Sequence, residues 1–219
     1  MRDASEIIDE KQTLSEQAYQ YVRSLIFANE VKPGEIFTER KLAERLNISR
    51  TPLRSAITRL TGERLLERLA NGTLVIREVP LDELLQIMVI RRQLESEAAA
   101  QTAVRARPGA AEPLIAETHE VIASPEMELE PFWAYDDRFH VFIAENSGMP
   151  LLAEMIANNR DKARMCHVVR MERNFAEQAR EHLGVLEAIA AQDPDRARAE
   201  MIRHTDCVRD RFLRWYTGI

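Results

Sequence analysis

Residues 31–60 read VKPGEIFTERKLAERLNISRTPLRSAITRL, and their punctuation decides how the amino-terminal part folds. Thr38 stands where an N-cap is wanted, just ahead of a short helix with Leu42, Ala43 and Leu46 on one face. Asn47 tolerates the left-handed backbone that ends such a helix, and Ile48 can plug the core behind it. Ser49 is the next N-cap, with Pro52 allowed in the first turn because the N–H groups there lack intrahelical partners anyway. The helix it opens reaches about Thr61 and is anchored from inside by Leu53, Ile57 and Leu60. Arg50, Thr51 and Arg54 are then left facing outward near its start, where a recognition helix presents side chains to base edges; Arg binds guanine O6 and N7 with two hydrogen bonds.

Working outward, Leu14, Ala18, Val22, Leu25 and Ile26 recur at helical spacing and predict a helix from about Thr13 to Asn29, followed by a turn at Val31-Lys32-Pro33-Gly34. On the other side, Leu65 and Leu66 begin a strand, Asn71 and Gly72 supply a hairpin turn, and Leu74, Val75 and Ile76 return. Three helices followed by a two-stranded wing is the order of a winged helix-turn-helix, assigned to residues 1–79. From Leu81 the pattern is almost wholly helical, without a convincing strand. It predicts six helices near 81–106, 109–123, 129–146, 150–171, 174–192 and 194–216, with Pro108, Pro125, Pro131, Gly148, Pro150 and Pro194 at or near their boundaries. The fold class is mainly α, a winged helix-turn-helix plus a six-helix effector-binding bundle over 80–219.

Charge follows the same division. Residues 38–77 hold nine Lys or Arg against four acids, whereas residues from 80 onward hold 17 basic and 24 acidic ones. A phosphate backbone attracts the first part and repels the second, which suggests a nucleic-acid module joined to an acidic partner domain although the whole chain carries −6. No apolar run approaches the ~18 residues of a membrane span, and the sequence begins without an apolar signal segment, so the expected location is the cytoplasm. Two cysteines, Cys166 and Cys207, make no disulfide framework and read as buried residues.

Asp136 and His140 lie four apart in DDRFHVFIAEN, roughly 6 Å along one helix face. His182 precedes Asp193 by 11 residues and His204 follows it by 11, so a hairpin turning at Asp193 brings both histidines to one level. One carboxylate and three imidazoles suit zinc foremost, with nickel, manganese or iron as alternatives, and leave positions for a ligand oxygen. A lone histidine on a helix is ordinarily structural, but four compatible ligands are harder to dismiss. His119 and His167 have no such partners.

The stretch at 31–60 resembles the DNA-binding core of the GntR family of regulators, and the remainder is similar to the branch of that family with an FCD effector domain. The resemblance implies that Arg40, Ser49, Arg50, Thr51 and Arg54 contact DNA, with Asn71 and Gly72 at a wing tip entering the minor groove. The branch's Asp-x-x-x-His, Glu-His and Arg-His pattern is matched by Asp136 and His140, Glu181 and His182, and Arg203 and His204, which selects the same four metal ligands. IRRQLESEAAA resembles its first effector-domain helix and offers Arg91 or Arg92 to an effector carboxylate; six helices resemble the VanR-type subgroup. The implied protein is a homodimeric repressor of operator DNA, without a membrane role, released by a small carboxylate. Two rivals stand: a metal-dependent hydrolase or lyase with a DNA-binding appendage, for which only Asp137 and Glu181 offer a general base, and a regulator that senses the metal itself.

Overall fold

In the computed structural model the described residues are 13–27, 31, 34, 36–124, 126–165 and 174–218. Contacts divide the chain into two compact units, the main body of the first ending at Pro80 and that of the second beginning at Leu81.

The first unit runs α1 (Leu14–Phe27), β1 (Ile36–Phe37), α2 (Glu39–Leu46), α3 (Arg50–Gly62), β2 (Leu66–Arg68) and β3 (Leu74–Ile76). Thr38 caps α2 by accepting from the Lys41 N–H, and Asn47 closes it in the left-handed conformation at φ 51°. Ser49 occupies the N-cap of α3, but its hydroxyl makes no capping bond, contrary to the expectation from its position. Leu53, Ile57 and Leu60 have no exposed surface and pack α3 against Ala18, Val22 and Leu25 of α1. The sheet has three strands rather than two, in the order β1-β3-β2, with Ile36 opposite Val75 and Leu66 opposite Ile76. A two-residue strand such as β1 is too short for any periodicity to announce it. Between β2 and β3 the Leu69 N–H bonds the Thr73 carbonyl at 2.8 Å, the Asn71 side chain accepts from the Thr73 N–H, and Gly72 takes φ 82°. That left-handed conformation is why a glycine ends this loop.

The second unit is α4 (Leu81–Arg105), α5 (Glu112–Ile122), α6 (Leu129–Asn146), α7 (Pro150–Arg164), α8 (Phe175–Ala190) and α9 (Pro194–Thr217). Side chains cap the last two: Asn174 accepts from the Glu177 N–H and Asp193 from the Arg196 N–H, with Pro194 in the first turn of α9. Between them Gln192 takes φ 54° and the Asp193 N–H returns to the Ala188 carbonyl, which folds α8 and α9 into an antiparallel hairpin. Helix α4 packs chiefly on α9. Its buried Ala98, Ala99, Ala100 and Ala103 keep it close to its neighbours, and Phe139, Val185, Leu186 and Met201 fill the centre. The expected continuation of the first helix to Asn29, the Lys32-Pro33 step, Pro125, and the run toward 171 with Cys166 and His167 lie outside the described residues. Cys207, expected to be buried, is half-buried. None of the described helices is long and apolar enough to cross a membrane.

Candidate functional site

Two constellations stand out, one in each unit. In the first, Arg40, Ser49, Arg50, Thr51, Arg54, Asn71 and Gly72 are all exposed. Helix α3 buries Leu53, Ala56, Ile57 and Leu60, and its opposite face carries Arg50, Thr51 and Arg54. Glu39, at the start of α2, accepts from Arg54 Nε at 3.0 Å and from Arg68 Nη2 at 2.7 Å, so one carboxylate ties α3 to β2. The hydrogen bonds from Arg68 and Arg54 hold the Glu39 carboxyl below its usual range. Arg40 lies 3.5 Å from Glu44, and among the described residues no carboxylate pairs with Arg50. Arg59, basic like the others, has a different job: it bonds Glu16 and Glu63 and lies over the Tyr19 ring at 3.6 Å, bracing α1 to α3.

The second constellation is buried. His140 from α6, His182 from α8 and His204 from α9 are 2%, 0% and 0% exposed, and one ring nitrogen of each lies within 4.8 Å of the others. The hairpin brings the His182 and His204 rings to 4.6 Å, and Phe139 stacks on His182 at 3.9 Å. Each Nδ1 faces a partner: His204 the Glu181 carboxylate at 2.9 Å, His182 the Tyr135 hydroxyl at 3.1 Å, and His140 the Glu95 carboxylate at 2.7 Å, the last too bent for a regular hydrogen bond. The Nε2 atoms of His182 and His204 are buried without a partner. Asp136 keeps Oδ1 3.6 Å from His182 Nε2 and 3.8 Å from His140 Nε2, while Gln178 donates to that oxygen at 3.0 Å and Arg160 to Oδ2 at 2.8 Å.

The electrostatics keep the His140 and His182 imidazoles neutral and the acids charged. Burial, seconded by Arg160, pushes His140 down to about 4; burial and the neighbouring His204 take His182 well below its ordinary value. Burial opposes ionisation of Asp136, yet Arg160 and the histidines beside it hold its carboxyl well below the usual range. Burial likewise opposes ionisation of Glu95, and Arg91 with His140 overcomes it; at Glu181 the hydrogen bonds from Arg211 bring the value down to about 2. Three buried imidazoles, two of them with unpaired Nε2 atoms, each with its Nδ1 facing an oxygen, are the donor set a divalent transition metal needs, so these residues fit the ion that their types implied.

The two arginines read as effector anchors are engaged inside the protein. Arg91 is buried and bonds Glu95 at 2.5 Å, which makes it part of the histidine support; Arg92 bonds Asp206 of α9 at 3.2 Å. Reading the sequence alone overlooks Glu95, Tyr135, Thr118, Arg160, Gln178 and Arg211. Only Glu95 has a local signal, four residues after Arg91 in a helix otherwise rich in buried alanine.

Comparison with known proteins identifies the two units. Residues 14–76 match the family model for bacterial regulatory proteins of the gntR family, and residues 86–206 match that for the FCD domain. The HTH-type transcriptional repressor RspR of Escherichia coli is 24% identical over 200 residues, covering 88% of this chain and 86% of that protein. The Nta operon transcriptional regulator of Aminobacter aminovorans is 26% identical over 188 residues, covering 85% and 89%. Among solved structures, McbR/YncC of E. coli superposes with a TM-score of 0.74 at 24% identity over 92% of this chain and 99% of that one.

Proposed function

Starting from the fact that this chain belongs to the GntR family of bacterial regulatory proteins and carries an FCD domain, we propose that it is an operator-binding repressor whose grip on DNA is set by a small carboxylate held at a metal site. That it is a transcriptional regulator and not an enzyme follows from its family; the operator, the metal and the effector are our reading. The observation that carries the reading is the convergence of three buried imidazoles with two Nε2 atoms left unpaired. A buried polar atom without a partner costs about 1–3 kcal/mol, and a ligated ion removes that cost.

His140, His182 and His204 would hold the ion, with Asp136 as the fourth ligand; zinc suits this set, as do nickel, manganese and iron. Bound there, such an ion supplies a Lewis-acid anchor for an anionic oxygen. Charge argues for that anion. Arg91, Arg160 and Arg211 face Glu95, Asp136, Asp137 and Glu181, three positive charges against four negative, so a divalent cation leaves the site with one net positive charge until an anion joins it.

On the DNA side, Arg50 and Arg54 of α3 would read base edges in the major groove. The exposed Ser49 hydroxyl and Thr51 beside them, with Arg40, would hold phosphates, and the Asn71-Gly72 tip would reach the minor groove. A homodimer would set two such helices about one helical turn apart on a palindromic site. By linkage the effector binds free protein more tightly than operator-bound protein by the factor with which it weakens DNA affinity.

The test is a titration of purified protein, with its metal content measured, against an operator selected from random DNA, with and without a panel of small carboxylic acids. Expected are a retained divalent metal, specific DNA binding, and release by one of the acids. His204→Ala should lose the metal and the response while still binding operator. Equal effector affinity with and without operator would end the proposed coupling.

A further inference from the structure

The three Nδ1 partners differ chemically. Glu181 and Glu95 are carboxylates, which only accept, whereas the Tyr135 hydroxyl can donate or accept. The tautomer of His182 therefore depends on which way that hydroxyl points, and the far end of its hydrogen-bond chain decides the matter.

Thr118 of α5 donates its single hydroxyl hydrogen to the Leu114 carbonyl at 2.6 Å. A carbonyl has no hydrogen to give, so Thr118 Oγ1 has only lone pairs left for Tyr135, 2.9 Å away. Tyr135 must donate to it. A phenol is protonated at neutral pH, and that one proton is now committed. Its oxygen can then only accept from His182 Nδ1 at 3.1 Å. Every bond runs one way: His182 Nδ1–H to Tyr135, Tyr135 to Thr118, Thr118 to Leu114. Exposures of 0%, 1% and 0% for Thr118, Tyr135 and His182 leave bulk water no access to reverse it.

We propose that Thr118 and Tyr135 are positioning residues forming a one-way relay that fixes His182 as its Nδ1–H tautomer and keeps its Nε2 open for a metal. The proposal rests on reading the histidine cluster as a metal site. Free imidazole side chains favour the opposite tautomer, with the proton on Nε2, where it blocks ligation. Two of the three histidines have a carboxylate to impose the ligand-ready form; for the third, a phenol does so only because a threonine disciplines it.

The relay predicts an unusual order of damage. In Thr118→Val the phenol loses its acceptor and turns its proton onto His182 Nδ1, driving the proton on the ring to Nε2. In Tyr135→Phe nothing enforces either tautomer. The threonine substitution, which touches no proposed ligand, therefore costs at least as much metal affinity as the tyrosine one, and the double variant returns to the Tyr135→Phe level because the misdirected donor is gone.

The measurement has two parts, both on the full chain. In metal-free protein labelled with 15N-histidine, long-range 15N–1H correlation reads the His182 tautomer: Nδ1–H in the wild type and in Thr118→Ser, Nε2–H in Thr118→Val. Zn2+ titration against a competing chelator should then show a loss of roughly tenfold to a hundredfold in Thr118→Val, partly recovered in the double variant. An Nε2–H tautomer in the wild type, an unchanged tautomer in Thr118→Val, or additive losses would overturn the relay. Should Thr118→Val not fold, Tyr135→Phe still decides, since retention of a pure Nδ1–H form there would also overturn it. A wild type that takes up no Zn2+ but shows the expected tautomers would instead sink the metal reading and leave the relay standing.

Discussion

Arginine–carboxylate pairs occur in both units, and they serve opposite ends. In the first, Glu39 is shared by Arg54 and Arg68, whose side chains are 65% and 41% exposed. Pairs of that kind are screened by water and contribute about 0–1 kcal/mol, so their arginines can exchange a carboxylate for a phosphate or a base at little cost. In the second, Arg91 meets Glu95 and Arg160 meets Asp136, all four side chains at or below 10% exposure, although Arg160 also reaches the more exposed Asp137. There the Coulombic attraction is strong, but so is the cost of stranding either member. The exposed pairs are free to trade partners, and the buried pairs are not.

The sharpest way to break that contrast is to delete one buried acid. Glu95→Ala leaves Arg91 charged and alone in the interior and removes the support of His140; we expect a loss of about 3–5 kcal/mol of stability. Trp133 and Trp215 are the two tryptophans of the chain and both belong to the second unit, so urea unfolding followed by their fluorescence reports that unit. A loss below 1 kcal/mol would mean the buried pair behaves like a surface one.

Acid should act on the same unit next. The value for His140 falls from 6.5 to about 4 on folding, so its neutral form stabilises the fold above the unfolded value, and that stability drains away as pH falls from 6.5 toward 4. The shift corresponds to on the order of 3 kcal/mol in metal-free protein, with His182 acting in the same direction. Asp136 and Glu95 are held well below their ordinary values of 3.8 and 4.5, so their stabilisation is complete above those values and drains away below them, adding to the loss at the acid end of this window. Tryptophan-monitored stability that stays flat from pH 7 to pH 5 would contradict this.

How much of this was legible in the chain differs between the two units for a physical reason. Prolines and helical periodicity are local, and they predicted the starts of α4, α6, α7 and α9 at 81, 129, 150 and 194. The start of α5 was set too early: Pro108 and Gly109 look like a boundary, but Pro113 sits in the first turn of a helix that opens at Glu112. Ser49 misled in another way, since a hydroxyl at an N-cap position need not turn inward. The proximity of His182 and His204 needed only the helical rise and one turn. Their supports come from α4, α5, α6 and α7 across long sequence separations, and no pattern in one helix could have named Tyr135, Thr118 or Arg160 as neighbours of the cluster.

On the exposed face the expected effects are smaller and appear in DNA binding rather than in folding. Arg50→Ala and Arg54→Ala should each cost about 1–3 kcal/mol of specific affinity if each touches a base, with little change in unfolding, because both side chains are exposed. A loss shared equally by all sequences, together with a shallower salt dependence, would reassign the arginine to phosphate.

The smallest expected effect is the most diagnostic of the contrast. Glu39→Gln removes the charge that gathers Arg54 and Arg68 but keeps an amide oxygen that can accept from one of them, so stability should change by less than about 1 kcal/mol. Freed of the carboxylate, both guanidiniums become better partners for any phosphate, which should raise affinity for random DNA. Specific affinity should rise less or fall, because Arg54 then loses the orientation that aims it from α3. The ratio of operator to random-DNA affinity is therefore the quantity to measure, and it should shrink. An unchanged ratio would show that Glu39 merely neutralises charge on this face, and that the weak pairing of the exposed unit carries no positional information.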